Sequence, residues 1–261
     1  MLILRGVLRT GWEHCIVVME ASMQDLLYKF LSAGFQAFIW GGELTSEVNL
    51  PEQGPAVLVS NHLAALGPIA VISCVPRRLY PWIIADMMDA KLAPEYLRRD
   101  FVERQFHMPM PFSLWLAKAI SKISVPLFNK TGCIPVYSDV KGLYATFDHS
   151  VDLLVQGCFV LVFPEDPNQP LDPQFNMSPF KKGFVRLGEF YFQRTGRSLK
   201  FFPLAVHAIR RTVQVGKPVT YNPFAPLVKE RLRVKRTLEN MIREMLTRKS
   251  GDFYLRVPLP R

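Results

Sequence analysis

The chain is short of acid, sparing in cysteine, and lacks the glycine signatures of the common nucleotide sites. Its four cysteines, Cys15, Cys74, Cys133 and Cys158, form no Cys-x-x-Cys pair, and no His/Cys cluster has zinc-ligand spacing. A disulfide scaffold and a zinc module are thereby excluded, and no metal is expected. The four read as reduced, buried thiols of a cytoplasmic protein. There is no Gly-x-Gly-x-x-Gly, no Walker loop and no Gly-x-Ser-x-Gly elbow, which argues against dinucleotide binding, P-loop chemistry and a serine hydrolase. Only 22 acidic residues stand against 32 Lys and Arg, leaving a net charge of +10.

What is present is grease. Hydrophobic residues make up 49% of the chain and the mean hydropathy is +0.11, too apolar for disorder. A basic, apolar chain points to an anionic membrane surface before nucleic acid. With no zinc-finger spacing and no RNA-binding aromatic signature, no nucleic-acid partner is expected. Residues 1–23 form a poorly defined leader with no small-residue cleavage site. Residues 54–76 carry no formal charge, but Asn61, His62, Gly67 and two prolines interrupt them; strand, loop and helix start fit better than a membrane span.

Residues 24–50 are expected to form an apolar helical arm. Leu26, Leu27, Phe30, Leu31, Phe35, Phe38 and Ile39 fall on one face at helical spacing. That face either packs on its own domain or lies in a lipid interface with Lys29 and Trp40 at its edges. From residue 51 to 261 short apolar runs at 55–59, 80–85, 132–137, 158–163 and 201–207 alternate with helical stretches such as 141–156. This predicts an α/β fold, with a mostly parallel central sheet flanked by helices. Ligands of such sheets bind outside the carboxyl ends of the strands, where His62 follows one run and Glu165 another. Residues 105–117, rich in Met, Phe and Pro, read as irregular core packing or as a wall for an acyl chain. A basic amphipathic helix over 229–249 closes the domain, capping it or meeting anionic lipid.

The chemistry-bearing pieces run in order. Asn61-His62 follows the first apolar run; Gly132, Ile134 and Val136 come next, then Phe163-Pro164-Glu165, then Pro179-Phe180-Lys181-Lys182, and finally Phe202-Pro203 and Val215-Gly216-Lys217-Pro218. The series resembles the glycerolipid acyltransferases of the lysophosphatidic acid acyltransferase family over residues 24–246. Their hallmarks are Asn-His-x4-Asp, Gly-x-Ile-x-Val-x-Arg and Phe-Pro-Glu-Gly-Thr. The resemblance implies that His62 is a general base. It would take the proton from an acceptor hydroxyl that attacks the thioester of acyl-CoA or acyl-carrier protein. It also implies a site lined by Asn61, Phe163, Pro164 and Glu165.

The departures are as informative. Gly67 stands where the family has the aspartate that orients the ring, and Ser138 where it has an arginine. Asp166-Pro167 replace the Gly-Thr of the phosphate turn, and Asp86 falls about where a lysine is common. A carboxylate at 166 repels a phosphate, and Pro167 removes an N–H that would approach it. These changes favour a neutral hydroxyl or amine acceptor. For the missing aspartate three readings stand. His62 works alone or with water; Glu165 or Asp166 replaces the lost carboxylate; or the protein is an inactive acyltransferase-like lipid-binding or scaffolding protein.

Of the other histidines, His207 is expected as a hydrogen-bonded core residue and His149 as exposed, while His14 and His107 carry no motif. Lys181 and Lys182 are expected to open a helix, solvated or near coenzyme A phosphates. The expected protein is a peripheral or monotopic acyltransferase on the cytoplasmic face of a membrane, needing no cofactor. Its partners would be the lipid surface, an acyl thioester donor and a lipid-like acceptor.

Overall fold

The computed structural model describes residues 23–247, except the side chains of residues 104 and 105. The leader, Cys15 and His14 lie outside the described residues. In chain order the elements are helix α1 (residues 23–35), continued by a wider π-turn over Gln36–Trp40, then β1 (Glu43–Thr45), β2 (Ala56–Ser60), α2 (Leu66–Cys74) and β3 (Leu79–Ile84). Three helices follow, α3 (Ala93–Leu97), α4 (Glu103–Phe106) and α5 (Phe112–Lys130), then β4 (Ile134–Val136), α6 (Val140–Val155) and β5 (Phe159–Val162). The chain continues through α7 (Arg186–Thr195), β6 (Lys200–His207), β7 (Thr212–Val215), β8 (Val219–Thr220) and α8 (Leu227–Thr247).

Two compact units divide the chain. One comprises Met1–Gly34 with Tyr80–Leu143, the other Phe35–Leu79 with Tyr144–Arg261. The second carries the sheet that matters for the site. β2 lies between β5 and β6, parallel to both, with Val57 opposite Val160 and Phe201. β6 runs antiparallel to β7 and β8, and β1 closes the far edge parallel to β7. All residues of β2 and β5 are buried, as is β6 from Phe201 to Val206. Strands covered on both faces need continuous apolar runs rather than alternation. In the first unit β3 and β4 pair in parallel, with Trp82 opposite Ile134. The fold is therefore α/β with mostly parallel strands and flanking helices, as expected.

Helix α8 turns Val234, Leu238, Ile242 and Met245 inward, so its apolar face caps its own domain. Its two buried carboxylates are both paired: Glu230 accepts the Asn222 N–H at 2.7 Å, and Glu239 meets Lys235 and Arg243. On the helical arm Leu26, Phe30 and Phe38 are exposed, whereas Trp40, at a lipid edge in the interfacial reading, is fully buried. A buried indole needs an acceptor, and Trp40 Nε1–H donates to Cys74 Sγ at 2.9 Å. Burial pushes the Cys74 thiol up to about 11. Cys74, Cys133 and Cys158 are free thiols. The 105–117 stretch is not irregular throughout: α5 begins at Phe112, Met108 packs against the cluster of Leu97, Val102 and Ala117, and Trp115 is exposed. Among the described residues no helix is long and apolar enough to cross a membrane.

Candidate active site

The site begins where the β2 ladder stops. Ser60 is the last β2 residue paired with β6, opposite Leu204. Asn61 then continues the pairing with its side chain. Its Oδ1 accepts the Val206 N–H at 2.8 Å and its Nδ2 donates to the Val206 carbonyl at 3.1 Å. An amide side chain offers the same donor and acceptor as a peptide group, and here it ties the strand end to β6 while remaining fully buried. Asn61 is thus a clamp that fixes where His62 leaves the sheet.

Glu165 holds the next link. One carboxylate oxygen accepts the His62 main-chain N–H at 2.6 Å and the other the Ser178 N–H at 2.8 Å. The segment around Glu165 is itself joined to residues 179–181 by an isolated β-bridge: Asp166 N–H donates to the Pro179 carbonyl at 2.9 Å and Lys181 N–H to the Pro164 carbonyl at 2.8 Å. Burial raises the Glu165 pKa, and the two N–H donors oppose that rise. Glu165 therefore grips the backbone of His62, not its ring.

The His62 imidazole keeps contact with solvent, yet the protein crowded around it lowers its pKa, with a backbone hydrogen bond to Ala64 acting the other way. The ring meets Phe163 edge-on, centroids 5.2 Å apart at 74°. Among the described residues no carboxylate is hydrogen-bonded or ion-paired to it. The expectation that Glu165 or Asp166 replaces the missing aspartate is corrected accordingly. Glu165 spends both oxygens on main-chain donors, and Asp166 faces Lys181 at 3.4 Å while accepting the Asn168 N–H at 3.1 Å.

Gly67 is buried beneath the turn it terminates. A Cβ there would overlap the His62 carbonyl oxygen, 2.6 Å from the His62 carbonyl carbon and 2.9 Å from the Asn61 carbonyl oxygen. Simple restoration of an aspartate at 67 is therefore barred while this turn persists. Leu63 and Ala64 both hold positive φ, 46° and 53°. Non-glycine residues adopt that conformation at a cost of about 1–3 kcal/mol each.

The remaining candidates are placed as follows. Phe163 packs on the ring and Pro164 is buried beside Glu165. Lys181 and Lys182 are exposed and do not open the helix: a 3-10 turn over Gly183–Val185 intervenes and α7 starts at Arg186. Ser138 belongs to the other unit, exposed in the bend after β4. Asp86 sits there too, in the 3-10 turn Ala85–Met88. His207 is the half-buried end of β6, its Nδ1 accepting the Arg210 N–H at 3.3 Å, and His149 is exposed on α6. Sequence reasoning missed Ser178 and Val206. Both contribute main-chain groups, which every residue carries, so side-chain identity gives no signal of them.

With this geometry in place, comparison with known proteins adds a similarity of fold. The chain is similar to the crystal structure of the 1-acyl-sn-glycerophosphate (LPA) acyltransferase PlsC from Thermotoga maritima, at 13% identity over 89% of this chain and 83% of that one, with a TM-score of 0.49. No protein-family model and no curated protein matches the chain. At that identity no residue role is carried across.

Replacing Asn61 by Leu strips Val206 of both partners in a buried position. Stability should fall by about 1–3 kcal/mol per orphaned group, read as a lower urea midpoint. An unchanged midpoint would contradict the clamp.

Proposed function

We propose that this chain is an acyltransferase that moves a fatty acyl group from an acyl thioester to a hydroxyl or amine of a lipid-like, non-phosphorylated acceptor, with His62 as general base. The observation that carries the reading is an imidazole at the carboxyl end of β2, open to solvent, with its backbone held by Glu165 and the strand end before it held by Asn61. Burial lowers its pKa, which favours the unprotonated form that a base requires. The imidazole nitrogen takes the proton from the acceptor O–H or N–H as its heteroatom attacks the thioester carbonyl carbon. The tetrahedral intermediate then collapses, the C–S bond breaks, and the imidazolium returns its proton to the departing thiolate. The products are an ester or amide and a free thiol. The donor is a coenzyme A or carrier-protein thioester, and no other cofactor enters the step.

A neutral acceptor fits the turn after Glu165. The Asp166 carboxylate takes the Asn168 N–H and its carbonyl the Gln169 N–H at 3.1 Å, so these two main-chain donors are not free for a phosphate. Pro167 has none to offer, and Lys181 is already paired with Asp166. A membrane surface as the place of work is supported by the +10 charge and by exposed apolar side chains of the first unit. These include Met23, Leu26 and Phe30 on α1, and Phe112 and Trp115 on α5. The cytoplasmic face accords with the free thiols. One observation favours the second reading, an inactive lipid-binding protein: among the described residues no carboxylate is hydrogen-bonded or ion-paired to the ring. Neutralising the carboxylate of a serine-protease triad costs roughly ten-thousand-fold in turnover, so an active site of this kind is slow.

Incubated with long-chain acyl-CoA and a mixed lipid extract, the parent should release free thiol and His62→Ala should not. Because the His62 pKa is lowered from 6.5, its base form persists into more acidic solution, and the acid limb of the rate profile should fall below pH 6.5. Thiol release that survives His62→Ala, or lysophosphatidic acid as the best acceptor, would contradict the proposal.

Phe30→Asp combined with Trp115→Asp should weaken co-sedimentation with vesicles containing anionic lipid by about tenfold, since each charge must be held out of the interface. Unchanged binding would remove these side chains from any membrane contact.

A further inference from the structure

We propose that Arg243 is a positioning residue for His62, acting from α8 through the 172–178 segment and Glu165. The inference deepens, and rests on, the reading of His62 as general base. A reacting side chain is placed no better than the main chain that carries it. The His62 N–H is held by one Glu165 oxygen at 2.6 Å, and the other oxygen takes the Ser178 N–H at 2.8 Å. A carboxylate bonded at both oxygens has its plane set from two sides; bonded at one, it swings about that bond. How firmly Glu165 holds the His62 main chain therefore depends on where Ser178 stands.

Ser178 follows a small loop that α8 holds shut. Asp172 and Met177 pair as an isolated antiparallel bridge, the Asp172 N–H donating to the Met177 carbonyl at 3.1 Å, and Met177 and Ser178 are buried. The Asp172 carboxylate works twice. One oxygen accepts the Gln174 N–H at 3.0 Å, which shapes the loop from within, and the other pairs with Arg243. The Arg243 guanidinium also lies over the Phe175 ring, 5.0 Å from its centroid, and reaches Glu239 on its own helix at 3.4 Å. A planar fork that meets a carboxylate and an aromatic ring together fixes both. The Arg243 and Asp172 side chains are only 22% and 30% exposed, so water screens this pair less than it does an open surface pair. Beyond Ser178 the same helix takes hold again, where Glu239 accepts the Phe180 N–H at 3.4 Å. The loop is thus tied to α8 on both sides of Ser178. From Arg243 to Asp172, along Met177 and Ser178, to Glu165 and the His62 N–H, every link is an ion pair, a hydrogen bond or the chain itself.

Amide hydrogen exchange on the full chain, with thiol release from long-chain acyl-CoA beside it, tests this. In Arg243→Gln the Ser178 and His62 amides should exchange about tenfold faster while those of β2 and β6 stay protected, as in a local opening. Arg243→Lys keeps the charge opposite Asp172 and should recover part of that protection. Asp172→Asn keeps an acceptor for the Gln174 N–H and should match Arg243→Gln. The double variant should be no faster than either single one, because both remove the same contact. In each single variant kcat should fall by about tenfold with KM little changed, as expected for a displaced reacting group. Protection of either amide that survives Arg243→Gln overturns the proposal. So do single effects that simply add, or amides released with kcat unchanged. Where Arg243→Gln does not fold, Asp172→Asn decides on the same readings. Amides released in a protein whose parent frees no thiol uphold the hold from α8 and remove the acyltransferase reading.

Discussion

One carboxylate gathers the site. Glu165 accepts two main-chain N–H groups, from His62 just after β2 and from Ser178 beside the 179–181 segment. Main-chain donors call for a partner, and neither of these lies in a sheet ladder. Without Glu165 the residue after Asn61 and the segment leading to α7 would both need new partners. Hydrogen bonds to a charged acceptor are the stronger kind, so a single side chain pins two chain segments. Burial raises its pKa, and the two donors favour its ionised form. The support continues outward: Phe180 N–H donates to Glu239 on α8 at 3.4 Å, and Arg243 on the same helix pairs with Asp172 and lies over the Phe175 ring. The basic helix is thereby tied to the loop that carries the site.

The division of labour around His62 follows from that bond. Asn61 fixes the strand end, Glu165 holds the backbone of His62, and Phe163 meets the ring edge-on. Among the described residues no carboxylate is hydrogen-bonded or ion-paired to the imidazole. In the turn after Glu165 the Asn168 and Gln169 N–H groups are both taken by Asp166.

Much of this was legible because buried parallel strands must be apolar from end to end. β2, β3, β5 and β6 declared themselves within a residue or two. β1 and β8 did not, since two or three residues carry no periodicity, and α5 was masked by the prolines and methionines before it. For Trp40 the sequence left open a lipid edge or a packed helix end: it shows an aromatic there, but not that Cys74 waits for its N–H. At the site, His62 and Glu165 were visible as side chains, and Glu165 proved to act on the backbone. The geometry of Gly67 could not be read, because identity alone does not separate a residue that is missing a function from one that must be small. Main-chain donors and acceptors leave no mark in a sequence at all.

The most direct measurement is hydrogen exchange at the amides of His62 and Ser178. Both should exchange slowly in the parent. In Glu165→Ala both should become fast together while the amides of β2 and β6 stay protected, as expected for a local opening. Fast exchange of either amide in the parent, or slow exchange that survives the substitution, would contradict the account.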